Sequence, residues 1–480
     1  MNRNERQDAG RAEATRRQCV GSALAAFTIV PRHVLGGQGH RAPSDKLNIA
    51  GVGVGAMGGI YIDNCASENI AALADVDHAF AARTFARYPK ARIYKDYRVM
   101  LEKEKGIDAV AIGTPDHTHA VIAMAAIRLG KHVYCAKPLC RTVHEVREVA
   151  KAAREARVAT QMSTQSAASE AACATAEMLR SGIIGHVREV HTSSDRPIWP
   201  QGVVRPAGEP VPPHLDWDLW LGPAPHRPFS PFYHPFNWRG WYDFGTGALG
   251  DMALHSWHVF WDALQLELPA RISSSAALAT EWSRASEAGG LTRIRARKAK
   301  PPETFPHADI VTFEFPARKG LPGLRLFWYD GGLLPPRPEG LDPAVAVPAG
   351  YYVGEKGVLI PVRRRQPAPE SAQGKAGART VETTEFIVLA NGKPRQFTPP
   401  PRTLPRTAGH YQEWIAAAKG GKPANCNFEY ARLFAETALL GVVSVRTGKD
   451  LSYDARNARF TNDDAANEHL NPPYRAGWML

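Results

Sequence analysis

The stretch KLNIAGVGVGAMGGIYIDNCA (Lys46 to Ala66) constrains the fold of this chain more than any other. An apolar, strand-like run breaks at Gly53-Val54-Gly55-Ala56-Met57-Gly58, and a helix-compatible segment follows. This is G-x-G-x-x-G between a strand and a helix, the setting in which the pattern carries meaning. The glycines permit a sharp turn and let a pyrophosphate approach the backbone. The helix start supplies N–H donors and a positive dipole end. ENIAALADVD then reads as a second buried strand ending at Asp75, 22 positions after Gly53, close to the spacing of about 20 at which the fingerprint places its acid. A carboxylate there accepts from a ribose diol and repels a 2′-phosphate, which favours NAD over NADP. Gly53, Gly55, Met57, Gly58 and Asp75 are therefore candidate cofactor contacts.

Two more strand–helix units follow. GIDAVAIGTPDHTHAVIAMAAIRLG gives a strand, a polar turn at Thr114 to His119, and an apolar helix. KHVYCAKPLCRTVHEVREVAKAAREA gives a strand, a turn at Lys137-Pro138, and a charged helix. Such alternation implies a parallel sheet with right-handed crossovers, whose ligands bind beyond the carboxyl ends of the strands. Thr114, Pro115, Asp116, His117, His119 and Lys137 fall at such ends and join the candidate cofactor set.

The 480 residues suffice for two or three domains, and a hydrophobic fraction of 44% with 11 tryptophans indicates a packed globular protein. The formal charge of +12 invites a nucleic-acid reading. Its basic clusters, Arg293 to Lys300 and Arg363 to Arg365, lie apart in Pro- and Gly-rich stretches without stacking aromatics, and read as solvated loop charge. Six cysteines without a CxxC pair exclude zinc-finger and disulfide-scaffold designs.

Residues 1 to 17 are polar and basic and end in Arg16-Arg17; the apolar run Val20 to Val30 follows, too short to span a bilayer. A twin arginine before a mildly hydrophobic run matches a Tat export signal, with Cys19 where a large apolar residue is usual. The expectation is an exported, periplasmic protein handed to the Tat machinery, without a transmembrane segment.

DMALHSWHVFWD (Asp251 to Asp262) reads as a buried helix that carries ionisable groups. Asp251, His255, His258 and Asp262 recur at steps of four, three and four, along one helical face. Asp251, His255 and His258 could also supply N and O ligands to a metal, although nicotinamide chemistry needs none. DRPIWPQG (Asp195 to Gly202) and FNWRGWYDFG (Phe236 to Gly245) mix Trp, Arg and Asp in loops. Indole faces stack on sugar rings while Arg and Asp pair with hydroxyls, so Arg196, Trp199, Trp238, Arg239 and Asp243 are substrate candidates, as is His258. Leu333 to Ala349 and Arg363 to Thr380, rich in proline, read as surface loops or oligomer arms. His410 to Lys449 reads as two helices about a Gly-rich break, packed back on the first domain.

Taken in order, GVGVGAMG, ALADVD, TPDHTHA, AKPL and GTGALGDMALH resemble the glucose–fructose oxidoreductase / inositol dehydrogenase / MocA (Gfo/Idh/MocA) family, from Asp45 to the C-terminus. Segments such as RPIWPQG and DWDLWLGPAP resemble its exported branch. The resemblance implies an α/β protein, with an N-terminal Rossmann domain and a C-terminal domain on a large, mostly antiparallel open sheet. The expected boundaries are 1–44 for signal and linker, 45–165 for the NAD-binding domain and 166–480 for the substrate and oligomerisation domain. A homo-oligomer, dimer or tetramer, is implied. The family's catalytic lysine falls on Lys137, its D-x-x-x-H pair on Asp251 and His255, and a further cofactor contact on Gln165. Ala136 replaces the usual glutamate before the lysine, Ser163 to Ala167 a G-N-Q-G-H-like segment, Asp195 a common asparagine, and His258 a frequent Asp or Asn.

The implied activity is hydride transfer between a carbinol carbon of a sugar, glycoside or polyol and nicotinamide. His255 would be the base, titrating near neutrality and oriented by Asp251 one helical turn away, and Lys137 would stabilise the alkoxide. Because free NAD is scarce outside the cytoplasm, tight retention of NAD is expected. The alternatives are an NAD-dependent glycosidase working by oxidation and elimination, whose HGLGP-like segment is absent here, and an inactive sugar-binding homologue.

Overall fold

Short, doubly buried strands organise the first half of the chain. The computed structural model describes residues 45–286, 292–299, 303–318, 320–367 and 380–480. Strands and helices alternate as β1 (Asn48–Val52), α1 (Ala56–Asn64), β2 (Asn69–Ala74), α2 (His78–Arg87), β3 (Arg92–Tyr94), α3 (Tyr97–Lys103), β4 (Ala109–Ile112), α4 (Asp116–Arg128), β5 (His132–Cys135), α5 (Val143–Ala156) and β6 (Thr160–Met162). The sheet order is β3-β2-β1-β4-β5-β6, and every neighbouring pair is parallel. All of Ala109 to Ile112 is buried, as a strand covered on both faces requires. A capping box of Thr142 and Glu145 starts α5, satisfying the N–H groups that a helix start leaves free.

Beyond α6 (Glu170–Arg180) the chain builds a ten-stranded sheet. Its members are β7 (Val187–Ser193), β8 (Arg271–Ala276), β11 (Asp309–Phe315), β12 (Leu324–Tyr329), β13 (Gly350–Gly354), β14 (Gly357–Pro367), β15 (Thr380–Ala390), β16 (Lys393–Pro394), β17 (Leu451–Asp454) and β18 (Arg459–Phe460), in the order β16-β15-β14-β13-β7-β12-β11-β8-β17-β18. The β7–β12 pair is parallel, and the other neighbours run antiparallel. β9 (Ala279–Ser286) and β10 (Thr292–Ala299) form a separate ribbon. Helices α7 (Trp217–Leu221), α8 (Gly247–Met252), α9 (Leu254–Trp261), α10 (His410–Ala418) and α11 (Phe428–Thr447) complete the chain's main elements.

One apolar core is continuous from Val110 and Val146 through Phe434 and Trp257 to Phe313 and Trp328. α11 joins the halves, with Arg147 of α5 donating to Glu436 at 2.5 Å. A second cluster is almost wholly aromatic, built from Trp217, Trp220, Tyr233, Trp238, Trp241 and Phe244 among others.

Three expectations change. Arg293 to Lys300, expected as loop charge, lies largely in a strand: Thr292–Ala299 is β10, paired with β9. Arg363 to Pro367 likewise belongs to β14 and pairs with Thr380 to Thr384 of β15; residues 368–379 between them lie outside the described residues. The supposed single helix Asp251 to Asp262 is interrupted at Ala253, and Asp262 caps its end, paired with Arg180 at the surface. The expected export signal, Arg16-Arg17 and Val20 to Val30, lies outside the described residues. No helix among the described residues is long and apolar enough to cross a membrane.

Candidate active site

Gly53 leaves β1 at φ +69°, a conformation that a Cβ strongly disfavours. A Cβ on Gly58 would stand 1.8 Å from the Gly53 carbonyl oxygen, so α1 can begin against the strand only with glycine there. Asp75, at the end of β2, braces this loop: Oδ2 accepts from the Val54 and Gly55 N–H groups at 2.8 and 3.1 Å, and Oδ1 from Asp77 N–H at 2.9 Å. Burial pushes its carboxyl up to about 6. The ribose-accepting role expected of Asp75 is thus joined by a loop-bracing one, and only Oδ1 keeps a further acceptor position.

A cavity of about 490 Å³ runs past this loop and the carboxyl ends of the parallel strands. Of the expected cofactor contacts, Gly53, Gly55, Met57, Asp75, Thr114, Pro115, Asp116, Lys137 and Gln165 line it; Gly58, His117 and His119 do not. The two histidines hold backbone instead. His119 Nε2 lies 2.9 Å from the Thr114 carbonyl and His117 Nε2 2.9 Å from that of Trp220, and burial depresses them to about 4 and about 3 respectively. His117 thereby ties the parallel sheet to α7.

From the opposite side, Trp238, Arg239 and His255 line the same cavity as Lys137. Lys137 Nζ donates to Asp251 Oδ1 at 2.5 Å, and Arg239 Nε donates to the same oxygen at 3.2 Å. Burial alone would raise the Asp251 carboxyl, but the two cations outweigh it and hold it down to about 2. Asp251 does favour the His255 imidazolium, as expected, but its hydrogen bonds go to Lys137 across the cleft and to Arg239 beside it rather than to the imidazole. His255 is depressed to about 4, first by burial and then by the Lys137 charge. It lies below the near-neutral value expected of it and is uncharged at pH 7. Asp116, which accepts from Thr246 Oγ1 at 2.8 Å, is pushed up to about 7 by burial and by Asp251.

The remaining substrate candidates separate. Arg196 pairs with Asp195 at the surface. Asp243 pairs with the buried Arg227. Trp199 is buried with its N–H on Gln201 at 2.7 Å, behind Arg239. His258 is buried with Nε2 2.9 Å from Ser166 Oγ, so two of the three groups that the sequence aligned for a metal, Asp251 and His258, are engaged by separate partners.

Two family models match this chain. One, described as an oxidoreductase family with an NAD-binding Rossmann fold, covers residues 47–164; the other, its C-terminal alpha/beta domain, covers residues 177–270. Over residues 47–164 and 177–270 the chain thus matches the two domains of the Gfo/Idh/MocA oxidoreductase family. It is similar to inositol 2-dehydrogenase 2 of Saccharopolyspora erythraea, 34% identical over 20% of this chain and 29% of that protein. It is also similar to levoglucosan dehydrogenase of Pseudarthrobacter phenanthrenivorans, 28% identical over 38% of this chain and 39% of that one. The chain thus matches well under half the length of these curated relatives. A solved levoglucosan dehydrogenase, in complex with NADH and L-sorbose, shares the fold with a TM-score of 0.51 and 17% identity over 86% of this chain and all of that one.

The glycine cradle, the bracing Asp75 and the buried Thr114 hydroxyl, which has no hydrogen-bond partner among the described residues, fit the dinucleotide of an NAD-binding Rossmann fold. Sequence reasoning missed Ser163, Tyr61, His234, Trp220 and Trp478, all of which line the cavity or bond to residues that do. Ser163 follows β6 and receives the Lys137 N–H at 3.0 Å; the strand-end rule applied to β6 would have found it.

Proposed function

We propose that this protein is an NAD-dependent oxidoreductase acting on a hydroxyl-bearing carbon of a sugar, glycoside or polyol. The observation that carries the reading is that Lys137 and His255 line one cavity with the glycine loop. The substrate class is supported by the relatives, an inositol dehydrogenase and a levoglucosan dehydrogenase.

Nicotinamide, when bound, supplies the hydride acceptor. The protein's own groups do the rest. His255, uncharged at neutral pH, takes the hydroxyl proton. Lys137, held by Asp251, presents its ammonium to the oxygen as negative charge develops. Arg239 keeps Asp251 ionised, so the lysine is positioned rather than free to swing. Trp238 gives the cavity apolar surface, and Arg239 lies over its ring at 4.2 Å.

Asp75 supports NAD over NADP, and Arg16-Arg17 with the following apolar run supports export with the dinucleotide already bound. Purification without added nucleotide, acid release and chromatography identify any bound nucleotide. A panel of sugars, glycosides and polyols is then screened by absorbance of the reduced nicotinamide. Reduction with at least one polyol is expected. A protein that neither binds NAD(H) nor reduces it with any member of the panel refutes the reading.

A further inference from the structure

The Trp-rich segment between β7 and α8 is stitched onto the turn after β2. Asp216 N–H donates to the Val76 carbonyl at 2.9 Å, and Leu215 forms a bridge with Asp77. Asp77 is buried between two imidazoles from this segment, with His214 Nδ1 2.8 Å from Oδ1 and His234 Nε2 2.8 Å from Oδ2. Both oxygens of a carboxylate accept, so each histidine donates. A neutral His234 then carries its acceptor lone pair on Nδ1. That atom is buried and has no partner among the described residues. The same holds for the indole N–H of Trp220, a residue only 3% exposed. Both residues line the cavity. Phe80 fixes the place of His234: it would meet a Cβ on Gly55, and its ring lies 5.8 Å from that imidazole.

A buried donor and a buried acceptor without partners each carry a desolvation penalty that a ligand relieves. The side chains that carry them, with ring centroids 5.8 Å apart, both line the cavity with the glycine loop, on a segment that the Rossmann fold does not supply. We propose that this segment is a second nucleotide-binding element, in which His234 Nδ1 accepts from a hydroxyl of the bound dinucleotide and Trp220 Nε1 donates to an acceptor on it, with His214–Asp77–His234 as the clasp. Release of the nucleotide then requires two hydrogen bonds to break and the clasp to open. The inference rests on the reading of the cavity as a dinucleotide site.

The test is the release rate of NADH from the full chain, followed by fluorescence on chasing with excess NAD. His234→Phe keeps the ring without its nitrogens, Trp220→Phe keeps an aromatic ring without the N–H, and His214→Gln breaks one arm of the clasp. Each is expected to release NADH about tenfold faster than the parent, and thermal melting of the nucleotide-free variants shows which of them are folded at the assay temperature. Where one variant fails to fold, the other two decide. Parental release rates in the folded variants overturn the clasp and leave the dinucleotide site standing. A parent that binds no NADH overturns both.

Discussion

Lys137 Nζ donates to Asp251 Oδ1 at 2.5 Å, joining the end of β5 to α8 across the cleft. Both side chains are largely buried, so the pair is shielded from salt and its geometry is fixed. An ammonium aimed at a developing alkoxide acts as a preorganised donor, and losing one such donor lowers kcat by roughly 10²–10³-fold. Lys137→Ala should lower kcat by that amount on the best polyol found. Arg239 still holds Asp251 in that variant, so NADH affinity should stay within a few-fold of the parent. A kcat within threefold of the parent would remove Lys137 from the chemistry.

His255 sets the acid limit of activity. The base must be uncharged, and burial with the nearby Lys137 charge depresses it to about 4. The His255 limb of the kcat/KM profile should lie near pH 4, below any steps from the neighbouring Asp116 and Asp75, and fall tenfold per pH unit there. Asp251 favours the imidazolium, so Asp251→Asn should move the limb further to the acid side, along with a lower plateau. A limb near the ordinary histidine value of about 6.5 in the parent would mean that His255 is not the buried base described here.

Gly58→Ala is normally a favourable exchange at a helix position, by roughly 0.5–1 kcal/mol. Here the new Cβ meets the Gly53 carbonyl oxygen at 1.8 Å, and backbone cannot rotate away as a side chain does. The variant should melt below the parent and lose at least tenfold in NADH affinity by fluorescence titration. Equal affinity would show that the loop does not cradle the nucleotide.

The local half of this architecture was readable from the chain. Glycine spacing, alternating strands and helices, and polar residues at strand ends are all short-range patterns, and they led to Gly53, Asp75, Thr114 and Lys137. Pairings across the cleft were not readable. Helical periodicity reports only neighbours on one element, so it offered His255 as the partner of Asp251, whereas Lys137 lies 114 positions away. Loop composition suggested Arg196 and Asp243 as sugar ligands, but composition carries no direction, and those charges turn to Asp195 and Arg227. In the 293–299 stretch a strand-like alternation, Arg293-Ile294-Arg295-Ala296-Arg297, was masked by its charge. Trp478 reaches the cavity from the far end of the chain, and nothing local marks it.

His258 offers a stability test independent of the chemistry. It is buried against Ser166 and depressed to about 3 by burial first and by its histidine neighbours second. A folded-state value below the unfolded value of about 6.5 means that its contribution is intact above that pH. It is lost as the pH falls, because the unfolded chain takes up the proton first. Each pH unit below about 6.5 therefore removes about 1.4 kcal/mol from the parent through this one group. His258→Gln can keep a hydrogen bond to Ser166 but does not titrate. The variant should be less stable than the parent by about 1 kcal/mol at pH 7.5, from the lost ring packing. By pH 5 the parent has lost about 2 kcal/mol through His258, so the order should reverse. Urea midpoints at the two pH values measure this directly, and a gap of constant sign and size would show that His258 is protonated as readily in the fold as outside it.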